Sequence, residues 1–295
     1  MVFGALIGLF GVLAVGYISW CVGDEYSASF TAVALFPMIF PIIDVGKMRY
    51  IGLYCFIVGA LGWYLHVIRA FSALPLWCGV VVALIVYAKN KRSAVIGCGA
   101  LLMGVMASRS HVVSIVKERD MYLKQADMHY EKFLLQHTFW HNVYAGFGFI
   151  TNDKGIFYGD SCSAEKVQSI NPLVGYLTPE YEAILRAEVI KLIFYSPNFV
   201  LRVLWAKLGV LFYYLLLSVN IGLIAAWYYR KPWQIDVTYL MALIGGALPG
   251  IATIPIALYI LGFITVAALY GIHSLIWACN KGLLQDLKKY FLRFF

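Results

Sequence analysis

Long apolar stretches near 2–22, 28–46, 50–70, 73–88, 93–107, 199–229, 235–253 and 255–279 dominate this sequence. A helix needs roughly 17–25 such residues to cross ~30 Å of hydrocarbon. In lipid it also satisfies its own backbone N–H and C=O groups, which an open chain leaves bare. The chain therefore reads as all-α, a polytopic transmembrane helical bundle of about eight spans. Its 62% hydrophobic and 13% charged residues lie well outside the range of soluble domains. The fourth and fifth spans are short and the sixth is long, so their boundaries are soft. Gly245-Gly246-Ala247-Leu248-Pro249-Gly250, with Pro255 beyond, is either a hairpin turn or a break in one helix. Eight or seven spans result.

Lys and Arg resist translocation, so their positions between spans set the orientation. Lys47 and Arg49, then Lys89, Lys91 and Arg92, then Arg230 and Lys231, and finally Lys281, Lys288, Lys289 and Arg293 alternate as an eight-span chain requires. Both termini are thus expected in the cytoplasm, and Gly23 to Tyr26 and the long 108–198 segment outside. That segment carries 10 of the 15 acidic residues against 9 basic ones, so the net charge of +8 is mainly a cytoplasmic collar. The basic balance reports topology and gives no reason to expect nucleic acid. No basic region precedes the first span and no small-x-small site follows it, so it is expected to be retained. Only Cys162 of the 6 cysteines lies in the long segment, which excludes a disulfide framework or a cysteine-based zinc site there.

Three regions follow: a five-span N-terminal membrane region (1–107), an extracytoplasmic loop module (108–198) and a three-span C-terminal membrane region with a basic tail (199–295). Apolar residues recur at three- and four-residue steps from Arg109 to Gln136, predicting an amphipathic helix that lies on the membrane or packs on the loop. From His137 to Phe149, close glycines among aromatics favour turns and tight backbone approach over regular helix, as do Asn152-Asp153-Lys154-Gly155 and Tyr158-Gly159-Asp160. Thr178-Pro179-Glu180 reads as cap, N1 proline and acidic first turn of a helix through about Tyr195. Ser196-Pro197 repeats the device and opens the sixth span.

Four constellations bear on chemistry. Asp24 and Glu25 place two carboxylates at a membrane boundary, as a general base or as ligands of a divalent cation; the competing reading is that they merely end a span. His137 and His141, four apart, share one face if the preceding helix continues through them; otherwise they cap or pack. Arg69, Arg202 and Lys207 are cations at outer ends of spans, suited to a lipid phosphate or to snorkelling among headgroups. Asp153 and Asp160 bracket a turn, as substrate contacts or as ordinary turn residues. No His-Glu-x-x-His, phosphate-binding loop, dinucleotide fingerprint, nucleophile elbow or haem-attachment motif occurs.

Gly23-Asp24-Glu25-Tyr26 resembles the acidic motif in the first external loop of multi-spanning glycosyltransferases that use polyprenyl-phosphate sugars, the GT-C type. The run from His137 through Tyr181-Glu182-Ala183-Ile184-Leu185-Arg186 resembles a loop of bacterial membrane proteins of envelope glycan assembly. The resemblance covers roughly a quarter of the chain. It implies an inner-membrane protein in cell-surface glycan or glycolipid assembly, with Asp24 and Glu25 as catalytic base or metal ligand; by position, the phosphate falls to some of Arg69, Arg202 and Lys207, with His137 and His141 as further catalytic candidates and Asp160 as a substrate contact. It further implies a polyprenyl-phosphate-linked sugar as partner and leaves a divalent cation open. First external loops of that type are usually longer than Gly23 to Ser29. A non-catalytic assembly partner or inhibitor, bound to another membrane protein, and a transporter are the rival classes.

Overall fold

The computed structural model describes residues 9, 13, 17, 25–69, 71–88, 90–126 and 138–285, with only the backbone described at 25–31. Among the described residues every regular element is helical. A 3-10 helix, Glu25–Met38, leads into α1 (Ile39–Val45), α2 (Met48–Ile68), α3 (Leu74–Val86) and α4 (Lys91–Gln125). Then come α5 (Trp140–Gly146) with a 3-10 turn at Phe147–Phe149, α6 (Asp160–Ile170), α7 (Pro179–Tyr195), α8 (Pro197–Val219), α9 (Ile221–Tyr228), α10 (Trp233–Ala252) and α11 (Leu261–Asn280). Five of the described helices, α2, α4, α8, α10 and α11, are long and apolar enough to cross a bilayer; Ala32–Val45 and Leu74–Val86 are shorter apolar helices. The fold is that of a multi-pass membrane protein.

The chain divides into two units: Met1–Phe133 with Leu215–Gly246 and Leu261–Phe295, and Leu134–Tyr214 with Ala247–Ile260. In the first, α2 and α4 run parallel. A Cβ on Gly59 would collide with the Leu101 carbonyl, and one on Gly104 with the Phe56 carbonyl. Glycine at these two positions lets the backbones touch, as small residues do between membrane helices. Around this pair Phe36, Ile39, Ile51, Val58, Leu76 and Leu84 form a buried core.

The 35 residues of α4 give it a length of about 52 Å. The apolar span and the first half of the expected amphipathic helix are thus one unbroken rod, well over the ~30 Å of a hydrocarbon core. The break expected at Gly245–Gly250 is also different. Gly245, Gly246 and Pro249 all lie within α10, and the chain turns later, between Ala252 and Leu261. Pro249 removes one amide from the helical ladder without ending the helix.

In the second unit α5, α6 and α7 close on a core of Tyr144, Phe147, Ile156, Cys162, Val167, Tyr181, Leu185 and Val189. The expected turn is there: Asn152 Oδ1 accepts from the amides of Lys154 (3.1 Å) and Ile156 (3.2 Å), and Gly155 takes a φ of 68°. Cys162 Sγ accepts from the Phe157 amide inside this core at 3.4 Å, and burial raises its thiol pKa. It stays a protonated packing residue.

Candidate functional site

The site is built from α7 outward. Thr178 caps the helix through Oγ1, which accepts from the Tyr181 amide at 3.2 Å, and Pro179 takes the first helical position as the sequence implied. This cap sets the first turn, on which Tyr181 points into the core and Glu182 points towards α5. The Glu182 carboxylate accepts three backbone amides: Phe139 at 3.0 Å and Trp140 at 2.7 Å on Oε2, and His141 at 3.0 Å on Oε1. These are orphan donors at the start of α5, and a carboxylate there also complements the positive end of the helix. A helix over Trp140–Gly146 was not expected, because its cap comes from more than forty residues away. Gly148 behaves as anticipated: a Cβ there would collide with the Phe157–Tyr158 backbone.

His141, in the first turn of α5, is 4% exposed. Its Nδ1 lies 2.8 Å from Tyr181 Oη and its Nε2 lies 3.1 Å from Asp160 Oδ1. The neutral imidazole with its proton on Nε2 satisfies both bonds, donating to the carboxylate and accepting from the phenol. Tyr181 is 1% exposed, and burial, with Tyr176, Glu182 and Asp160 nearby, pushes its phenol well above the usual range. It is a committed donor at neutral pH. The Tyr176 ring stands edge-on to His141 at 6.0 Å, and its phenol is also raised, by burial and then by Asp160. Ser163 Oγ donates to the His141 carbonyl at 3.1 Å, tying α6 to α5. At the open end of the line, the Asp160 side chain is 84% exposed. One carboxylate oxygen faces the imidazole and the other is available to water or to a substrate hydroxyl.

Of the expected site residues, the structure brings His141 and Asp160 together. Asp24 and His137 lie outside the described residues, and Glu25 is described only as the first backbone residue of the 3-10 helix. Thr138 and Phe139 are not helical, so the helix bearing His141 starts afresh at Trp140. Arg69 caps the end of α2 in the first unit, its amide donating to the Leu65 carbonyl at 2.8 Å. Arg202 is exposed on α8. Lys207, also on α8, is buried, and its Nζ donates to the Ile251 carbonyl at 2.8 Å. It acts as a cation on the C-terminal end of α10, where helix carbonyls are unsatisfied. Gly146, at the far end of α5 from His141, packs against the next two carbonyls, of Ala252 and Thr253, and against the Lys207 ammonium.

Glu182 was visible only as part of a resemblance, without a role. Lys231, expected only as a topological cation, is paired with Asp236, to which the sequence gives no role. In the first unit Lys231 Nζ is buried, 2.7 Å from Ser274 Oγ, 3.4 Å from Asp236 Oδ1 and 4.3 Å above the Tyr270 ring. Tyr270 donates to Asp236 at 3.0 Å and closes the set. Among the described residues no group of three or more His, Cys, Asp or Glu side chains is arranged to hold a metal ion.

Comparison with family models, with curated proteins and with solved structures finds no match to this chain. The fold thus defines a class, a multi-pass helical membrane protein. The arrangement of Asp160, His141 and Tyr181 gives that class an exposed carboxylate backed by two buried polar rings.

Proposed function

We propose that this protein acts in bacterial cell-envelope glycan or glycolipid assembly, transferring a sugar from a lipid-phosphate donor on the outer face of the inner membrane. The observation that carries the reading is the row Asp160–His141–Tyr181. It holds an exposed carboxylate in place within the segment that resembles envelope-glycan proteins. In the proposed step Asp160 takes the proton of an acceptor hydroxyl as the oxygen bonds to the anomeric carbon. The carbon–oxygen bond to the lipid phosphate breaks, its electron pair leaves on the phosphate, and Arg202 offers the compensating charge. His141 and Tyr181 position the base without touching substrate. Asp24 and Glu25 keep the role the resemblance gives them, as a base or metal ligand near the sugar acceptor.

The topology proposed with it has eight crossings: the first apolar stretch, Ala32–Val45, α2, α3, α4, α8, α10 and α11, with both termini cytoplasmic and the segment 108–198 outside. Reporter fusions after Ala126 and after Tyr229 test it; the first must read as external and the second as cytoplasmic. Asp160→Asn, in protein shown to be folded, is expected to lower sugar transfer about 100-fold or more, the typical contribution of a general base. Tyr181→Phe is expected to lower transfer less and to move its pH profile. Unchanged surface glycan and unchanged transfer in Asp160→Asn would remove the assignment.

A second reading is supported by exposed apolar side chains on the same unit: Leu173 is 94% exposed, Tyr176 54% and Phe157 46%. These suit an assembly partner that docks on another membrane protein. Under that reading a stoichiometric partner copurifies and is lost with Leu173→Asp, whereas Asp160→Asn retains it.

A further inference from the structure

The lipid-facing side of the α2–α4 pair is not smooth. Between the two helices runs a groove of about 610 Å³, lined by Gly52, Leu53, Phe56, Gly99 and Met103, with Arg49 at one end. Its lining is otherwise apolar. Along α2 it reaches from Met48 to Phe56, about 12 Å of helix axis, which is less than one leaflet of a ~30 Å core. The helices are parallel, with Gly52 beside Ile96. Arg49 on α2 and Lys91 and Arg92 on α4 therefore enter at about the same level, all exposed, with Lys47 only two residues, about 3 Å, before Arg49. Arg49 is steered by its neighbour: its guanidinium stacks on Tyr50 at 4.8 Å and donates to that phenol at 3.1 Å, leaving its other N–H groups for an acceptor. Asp44, the acidic residue closest in sequence, is engaged by the Tyr87 hydroxyl at 3.1 Å.

An apolar trough that stays within one leaflet, with cations only at the headgroup end, is complementary to a lipid with one anionic phosphate and a chain below it. We infer that this groove retains an acidic phospholipid, its acyl chain lying over Gly52 and Gly99 and its phosphate held by Arg49 and Arg92. The inference does not rest on the glycan reading and concerns the opposite end of the spans. The two glycines differ from those that bring the helices together. A Cβ on Gly99 would meet nothing within 4 Å, and one on Gly52 only Ile96 at 3.7 Å. A larger side chain at Gly99 fills the groove while leaving the packing intact. Gly209 on α8 is equally open and lies in the other unit, which makes it a matched control.

The test uses the full chain in detergent, incubated with phosphatidylglycerol or with phosphatidylcholine of identical chains, and counts bound lipid by native mass spectrometry. The wild type is expected to keep one phosphatidylglycerol with a preference of about tenfold over phosphatidylcholine, given the usual gain per basic residue near a membrane surface. Arg49→Gln combined with Arg92→Gln is expected to bring the two lipids close to parity. Gly99→Leu is expected to abolish retention, whereas Gly209→Leu leaves it unchanged. Equal retention of both lipids by the wild type overturns the inference, as does Gly99→Leu behaving like Gly209→Leu. A lipid-free pair of chains that Gly99→Leu separates also overturns it, showing that a second copy fills the groove.

Discussion

Two polar clusters, one in each unit, are built from nearly the same parts and finished differently. Around Lys231, a buried ammonium meets Asp236, Tyr270 and Ser274; Asp236 is 43% exposed, but its Oδ1 is turned inward onto Lys231 and Tyr270. Around His141 the phenol end is closed at Tyr181 but the carboxylate end, Asp160, opens to solvent. Paired groups that face only one another stabilise a fold when intact and destabilise it when one is removed. A paired row with one open end can do that and also present chemistry to something outside. The contrast separates a structural tie from a candidate site more sharply than residue type does, since Lys, Asp, His and Tyr are all plausible at either.

The largest expected effect tests the closed cluster. Asp236→Ala leaves a buried ammonium without its carboxylate and, with that carboxylate 43% exposed, should cost about 2–3 kcal/mol, read as a lowered thermal midpoint in detergent. Adding Lys231→Met to that variant should recover most of the loss; a double variant no more stable than the single would mean that the pair is not the tie described here. Next comes Glu182→Ala, which strips three amides of their acceptor and should cost about 2 kcal/mol. Amide exchange should speed at residues 139–141, with the helix after Leu185 unaffected. Asp160→Asn, at the open end, should change stability by only about 0.5 kcal/mol or less, while acting on transfer as stated above. A large drop in stability here would move Asp160 into the class of Asp236.

The smallest effect concerns pH. Burial alone would raise the Glu188 carboxyl, but hydrogen bonds from Lys191 and Lys166 hold its pKa below the ordinary value. A depressed folded-state pKa gives stability that is present above the unfolded value and lost as pH falls through the folded one. Wild-type protein should therefore lose more stability than Glu188→Gln between about pH 5 and pH 3. Parallel acid titrations that coincide would remove Glu188 from the account.

What the sequence made legible was local. Apolar length gave the membrane helices, Thr178-Pro179 gave the start of α7, and Asn152 to Gly155 gave a turn, because each of these is decided within a few residues. Two signals misled for the same reason. Gly245, Gly246 and Pro249 look like a break, yet close packing around α10 holds the helix through them, and packing is not written in the segment itself. Lys231 looks like an ordinary topological cation until Ser274 and Tyr270, some forty residues later, cover it. His141 was found as a residue but without these partners: it bonds to Asp160 and Tyr181, separated from it by 19 and 40 positions. No spacing rule on a single helix reaches that far.

The grip of Glu182 on the start of α5 has a consequence for how the second unit comes together. Seven residues are too few to hold a helix in water, where roughly 12–15 are needed even for a favourable sequence. The first turn of α5 lacks a side-chain cap from its own N-cap residue and is tied down by a carboxylate on α7 instead. Winding of α5 is therefore conditional on α7 already being in place, and His141 reaches its buried position only at that stage. The carboxylate works as an assembly checkpoint: a chain in which α7 has not docked has no ordered α5, and so no imidazole standing behind Asp160.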